Sequence, residues 1–183
     1  MTLVIHPKDN TTLMLQMLYE GSELQLITAP LSRRQMRRCI RNTGAQERIF
    51  LLGHGSAAGL LYRSAEEEAA FSGLIISHAH AFPLRRHGAN LVGIWCNAVD
   101  FARKESLHGL FSGMIISELE EAREYGVYTT QEELNCENVN LAKNLRFLLD
   151  AQVPLCDIPA RLQELDESDS ELTRFNYKNF FYL

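Results

Sequence analysis

Residues 48–56, RIFLLGHGS, decide how the chain folds. Ile49, Phe50, Leu51 and Leu52 form an apolar run of strand length, and it ends on His54, clamped between Gly53 and Gly55. A buried strand needs no imidazole at its tip, and a simple turn would be content with Asn-Gly. Further along, residues 91–98, LVGIWCNA, repeat the pattern with Cys96 at the tip. Strands apolar throughout belong to parallel sheets covered on both faces. An open parallel sheet collects ligands and chemistry at the carboxyl ends of its strands. His54 and Cys96 are 96 − 54 = 42 residues apart, room for one crossover and an extra hairpin, so neighbouring strands are expected.

Working outward, residues 2–6 read as a strand stopped by Pro7, and residues 10–21 as a helix that Asn10 or Thr11 can cap. A strand over 24–29 ends at Pro30. A helix with a basic face follows over 31–44, capped by Ser32 and stopped by Gly44. A strand is expected near 74–77 with a short helix behind it, then a strand over 91–96. Residues 97–109, with Arg103 and Lys104, read as an exposed loop open to cleavage, and 107–126 carries mostly helical apolar spacing. VYTT at 127–130 reads as a short strand opening, through a capping box, an amphipathic helix over about 131–150. A short helix over 157–165 and an aromatic tail, RFNYKNFFYL, complete the chain, and such a tail is expected to dock. The whole is an α/β fold with a mostly parallel sheet, a single domain over 1–183.

With 183 residues, 46% of them hydrophobic, the chain can bury a real core. A formal charge of −5 argues against nucleic acid as a partner. No apolar run approaches a membrane span, and MTLVIHPKDN lacks the head and core of a secretion signal, so a cytoplasmic protein without a membrane partner is expected. Cys39, Cys96, Cys136 and Cys156 have neither zinc nor disulfide spacing. His78, His80 and His87 lack a carboxylate or thiol at ligand spacing, so no metal is expected, and nothing implies a cofactor. Ser56 has no G-x-S-x-G around it, and no glycine-rich phosphate loop occurs. The acidic run Glu66–Glu68 reads as a solvated loop or helix start. FSGLIIS (71–77) and FSGMIIS (111–117) are nearly the same, too short to make a repeat.

The chemistry at the two tips wants both residues. A thiol of ordinary pKa is only a few per cent thiolate at neutral pH, and a neighbouring histidine can serve as base or ion-pair partner. A glycine after the histidine leaves its backbone N–H open, and with the N–H of Cys96 it could hold an acyl-transfer oxyanion. The plainer readings stay open beside this: His54 as a turn histidine, and Cys96 as an inert buried thiol.

An apolar strand closing on His-Gly, followed by a later one closing on Cys, resembles the caspase-like (clan CD) cysteine peptidases. IFLLGHGS and LVGIWCNA stand in that order, the likeness spans roughly residues 2–130, and IWCNA followed by GLFSGMIISE is similar to small, poorly described bacterial members. The resemblance implies a three-layer fold with a mostly parallel central sheet flanked by helices. It makes His54 the general base, Cys96 the nucleophile of a thiol endopeptidase and Gly55 an oxyanion donor. The substrate would be a peptide or protein, with a regulatory partner or a homodimer to control activity. Ile94 stands where caspases carry a glutamine and metacaspases an aspartate, so specificity needs another source. Asp9 lies where such families place a residue of the P1 pocket and would favour Arg or Lys, while Lys8 would favour an acidic P1; Asp9 reads equally as a helix cap. The alternative is a catalytically silent caspase-like module that binds a partner protein or peptide on the same rim.

Overall fold

In the computed structural model, which describes residues 1–7, 9–63 and 70–183, the run Ile49–Leu52 is a strand inside a sheet. The chain begins with β1 (Thr2–Ile5), a 3-10 helix over Asn10–Leu18, β2 (Leu24–Ile27), α1 (Arg33–Asn42) and β3 (Ile49–Leu52). The antiparallel strands β4 (Gly55–Ser56), β5 (Gly59–Tyr62) and β6 (Gly73–Ser77) come next, then α2 (His78–Leu84) and a second 3-10 segment over Arg85–Asn90. The chain continues through β7 (Leu91–Ile94), α3 (Ala98–Glu105), β8 (Leu110–Ser112), α4 (Leu119–Glu124) and α5 (Gln131–Asp150). It closes with α6 (Ile158–Glu164), α7 (Glu171–Lys178) and β9 (Phe180–Tyr182).

Six strands make the main sheet, in the order β2-β1-β3-β7-β8-β9, and every pairing is parallel except β8 with β9. The expected α/β fold with a mostly parallel sheet is therefore present. Period-two alternation in β3 feeds a core on each face. Ile49 and Leu51 join Met36 and Ile40 of α1 and Phe101 of α3. Phe50 and Leu52 join Leu15 and Leu18 of the first 3-10 helix, Leu141 and Leu145 of α5, and Leu162 of α6. Burial on both faces is why a sequence with no polar alternation makes a stable strand here. Among the described residues, no helix is long and apolar enough to cross a membrane.

Local signals set several boundaries as expected. Ser32 Oγ accepts from Gln35 N at 3.3 Å while the Gln35 side chain accepts from Ser32 N at 3.1 Å, closing the capping box of α1. Thr130 Oγ1 accepts from Glu133 N at 3.2 Å and starts α5.

Three segments differ from expectation. Leu110–Ser112 is a strand, not the start of a helix, and only Leu119–Glu124 of the 107–126 region is α-helical. All three residues of β8 are buried between β7 and β9, and a run apolar on both faces carries no period to tell strand from helix. Residues 97–109 are not a loop: Ala98–Glu105 is α3, its Ala98, Val99, Phe101 and Ala102 buried at helical spacing. Arg103 and Lys104 thus belong to a packed helix, which removes the reason to expect cleavage there. Residues 127–130 form no strand; Val127 instead packs near Ile116 and Leu134, and Tyr128 is exposed. The near-twin heptapeptides diverge too, FSGLIIS ending in β6 and FSGMIIS leaving β8 for an irregular segment. Lys8 and Glu66–Glu68 lie outside the described residues.

The aromatic tail is docked. Tyr177 and Phe180 are buried, β9 pairs with β8, and backbone bonds of 3.0 and 3.1 Å join Leu183 to Gly109. Phe180 belongs to the same core as Leu110 and Ile94. Phe180→Ala should cost about 3 kcal/mol and lower the melting temperature by roughly 6–12 °C; an unchanged calorimetric melt would mean the strand contributes nothing.

Candidate active site

The site begins with a register. β3 and β7 are parallel neighbours with Leu52 opposite Ile94, and Gly53 N donates to Ile94 O at 3.1 Å. His54 and Cys96 each stand two residues beyond that last pair, so the same offset carries both past the carboxyl edge of the sheet. Gly53, at φ +136°, turns the chain off β3 in a conformation that favours glycine. Asn97, at φ 66° and ψ 29°, turns it after Cys96 into α3; Asn is among the few side chains that adopt this left-handed region readily. Buried Ser112 holds the approach, its Oγ accepting from Trp95 N at 2.9 Å and donating to Trp95 O at 2.7 Å.

His54 and Cys96 line one narrow cavity of about 30 Å³, with Thr12, Met14, Ile115 and Leu141 on its walls. That is room for one or two waters and no side chain. Cys96 Sγ donates to Ile115 O at 3.6 Å. Burial pushes the thiol up to about 11, and the carboxylates of Glu121 and Glu118 push the same way. At neutral pH the sulfur therefore keeps its proton.

Three groups fix the imidazole. Thr11 Oγ1 lies 2.6 Å from His54 Nε2 and 2.7 Å from Asp9 Oδ1. A hydroxyl has one proton, and the carboxylate can only accept, so Thr11 donates to Asp9 and accepts from His54 Nε2–H. This network assigns the tautomer and leaves Nδ1 as the basic nitrogen. Burial works to raise the Asp9 pKa, but hydrogen bonds from the Thr11 hydroxyl and backbone and the charges of His54 and Arg63 outweigh it and hold the carboxyl below its ordinary value. Arg63 Nε lies 3.1 Å from Asp9 Oδ2, its guanidinium is 4.5 Å from the Phe71 ring centre, and that ring is 5.4 Å from the His54 ring. Beneath them the buried, neutral His6 contacts Thr12 Oγ1 at 3.2 Å and Tyr19 OH at 3.0 Å; burial lowers its pKa to about 4.

Asp9 is thus a cap and a partner of the histidine. It accepts from Thr11 N at 3.0 Å, lies 3.1 Å from Arg63 Nε, and has His54 Nε2 3.5 Å away. Gly55 has a steric reason to be glycine beyond its open N–H: a Cβ there would sit 2.0 Å from Trp95 Cδ1. Trp95 Nε1 also donates to Ser56 O at 3.1 Å, tying the two tips together. Because Leu61 N donates to His54 O at 2.8 Å, the antiparallel alternation turns the Gly55 N–H away from β5. Thr11, Arg63, Phe71 and Ser112 were not singled out from sequence as site residues; only the DNTT cap signal pointed toward Thr11.

The histidines at 78, 80 and 87 have separate duties. His78 meets Glu105 at 2.8 Å, His80 accepts from Ser77 N at 3.2 Å, and His87 contacts Ile40 O at 3.1 Å. Among the described residues no cluster of three or more His, Cys, Asp or Glu could hold a metal ion. No family model, curated protein or solved structure matches the chain.

Two outcomes follow from this geometry. The rate of Cys96 alkylation by iodoacetamide, read by mass spectrometry, should rise about tenfold per pH unit from neutral pH toward 10, since only the thiolate reacts; a plateau below pH 7 would reveal a preformed thiolate. Gly55→Ala should lower stability by more than about 2 kcal/mol by displacing the indole, and an unchanged denaturant midpoint would contradict the close approach.

Proposed function

We infer that the chain is a caspase-like cysteine peptidase, with Cys96 as nucleophile and His54 as general base. The observation that carries this is the matched offset of His54 and Cys96 beyond paired parallel strands, opening on one cavity. The finer caspase-like, three-layer assignment rests on this and on the order of the His-Gly and Cys tips along the chain.

In this reading His54 Nδ1 takes the Cys96 proton as Sγ attacks the carbonyl carbon of a peptide bond. The resulting oxyanion is held by the N–H of Gly55 with that of Cys96. The imidazolium then gives its proton to the departing amine, leaving a thioester on Cys96. Water, deprotonated by the same nitrogen, attacks the thioester; the C–S bond breaks, the acid leaves, and the imidazolium returns the proton to Cys96 Sγ. Asp9, through Thr11, orients the ring and supports its positive charge, a positioning role like the third member of a triad. A thiol that is neutral at rest requires the base to act as substrate binds, since no ion pair is stored.

The second reading, a silent module that binds a partner protein or peptide, is favoured by one observation, the narrow cavity around a protonated Cys96. The two separate in one experiment. Wild type, Cys96→Ala and Thr11→Val are incubated with a denatured casein digest, and wild type alone with a peptidyl acyloxymethyl ketone. A peptidase gives new cleavage products, adducts on Cys96 ahead of Cys39, Cys136 and Cys156, no products from Cys96→Ala, and a turnover about tenfold or more lower in Thr11→Val. Saturable peptide binding without products or adducts would instead establish the silent module.

A further inference from the structure

α1 carries Arg33, Arg34, Arg37, Arg38 and Arg41 and no acidic residue. The chain's net charge is −5, so everything outside this helix sums to −5 − 5 = −10. Among the described residues none of the five arginines is in an ion pair, whereas Arg85, Arg103, Arg146, Arg161 and Arg174 all have carboxylate partners. In an acidic protein, five adjacent cations left without a carboxylate form a concentrated positive field.

The helix shapes that field. Arg33, Arg37 and Arg41 recur every four residues, a line about 12 Å long at the helical rise of about 1.5 Å per residue. With Arg34 they line a groove of about 310 Å³ on the surface of α1. Met36 and Ile40 are buried on the stripe beside this line, which holds the helix against the core. α2 packs beside α1, and His80 of α2 is buried there, outside the lining of the groove. Its Nδ1 accepts from Ser77 N, so the ring proton lies on Nε2, and Nε2 is buried with no hydrogen-bond partner. Burial first, then the cations Arg33 and Arg37, lower the basicity of His80, which places those two guanidinium groups in its field. Buried polar donors normally find acceptors, and among the described residues His80 Nε2 has none.

A multiply charged oxyanion suits this row of guanidinium groups. Guanidinium forks bind phosphoryl oxygens in paired hydrogen bonds, and adjacent forks suit adjacent phosphoryl groups. A groove this size fits a small ligand, and among its lining residues no aromatic ring offers a platform for stacked bases, as single-stranded nucleic acids require. We propose that the α1 groove, through Arg33, Arg34, Arg37 and Arg41, is a binding site for the phosphoanhydride chain of a small polyphosphate. This site is separate from the His54–Cys96 cavity and does not depend on the peptidase reading.

The test is calorimetric titration of the full chain with sodium tripolyphosphate, and separately with ATP, at physiological salt. One saturable site is expected, weakened at least about tenfold in Arg33→Gln/Arg37→Gln/Arg41→Gln and unchanged in Arg161→Gln/Arg174→Gln. Equal affinity for both ligands assigns recognition to the phosphate chain alone, and tighter ATP adds a contact to the base; both support the site. Phenylglyoxal footprinting of wild type needs no variant, and tripolyphosphate should protect Arg33, Arg37 and Arg41 but not Arg161 or Arg174. Absence of saturable binding, equal binding by the triple variant, or uniform arginine protection would overturn the proposal. Binding of a short oligothymidylate or a poly-glutamate peptide tenfold tighter than tripolyphosphate would overturn it in favour of a macromolecular partner.

Discussion

The parallel pairing of β3 with β7, in the register that sets Leu52 against Ile94, is the constraint from which the site follows. Slip that register by one residue and the side-chain faces invert. Phe50 and Leu52 would leave the core they share with α5, and His54 and Cys96 would no longer stand at one offset. The register is held from both faces: Met36, Ile40 and Phe101 pack on one side, Leu141, Leu145 and Leu162 on the other. Neither core can be rearranged without moving the other, which is how a sheet keeps two reactive groups in place without a bond between them.

Polar contacts then refine what packing has placed. Ser112 pins Trp95, Trp95 lies against Gly55, and the indole nitrogen reaches Ser56 O. On the other side Asp9, Thr11 and Arg63 converge on His54. The imidazole is thus supported by residues from the start of the chain and from the hairpin, and the thiol by the strand beyond its own. Four segments distant in sequence share one rim, and the sheet makes them neighbours.

Much of this was legible in the sequence, for a definite reason. Both strand tips are announced locally, by a fully apolar run that stops abruptly on a reactive side chain, and parallel-sheet physics then says where such tips go. β8 was not legible, because Leu110 and Phe111 are buried on both faces and leave no periodic signature. α3 was hidden by its own composition: Asp100, Arg103, Lys104 and Glu105 read as solvated loop until Val99, Phe101 and Ala102 are seen packing beneath them. Asp9 announced a cap and a residue of the P1 pocket equally well; the cap is present, and its approach to Arg63 and His54 is a three-dimensional fact. The arginines of α1 were visible as a basic face, yet that none of them meets a carboxylate among the described residues is a three-dimensional fact.

The buried thiol has a consequence for durability. Peroxide attacks thiolates, not thiols, so a cysteine that stays protonated is a poor target for oxidation. Cys96 is sheltered by that chemistry and is half-buried, whereas Cys136 and Cys156 stand exposed on the surface. Oxidants arriving from solvent meet the two exposed sulfurs first, while the protonated one stays reduced.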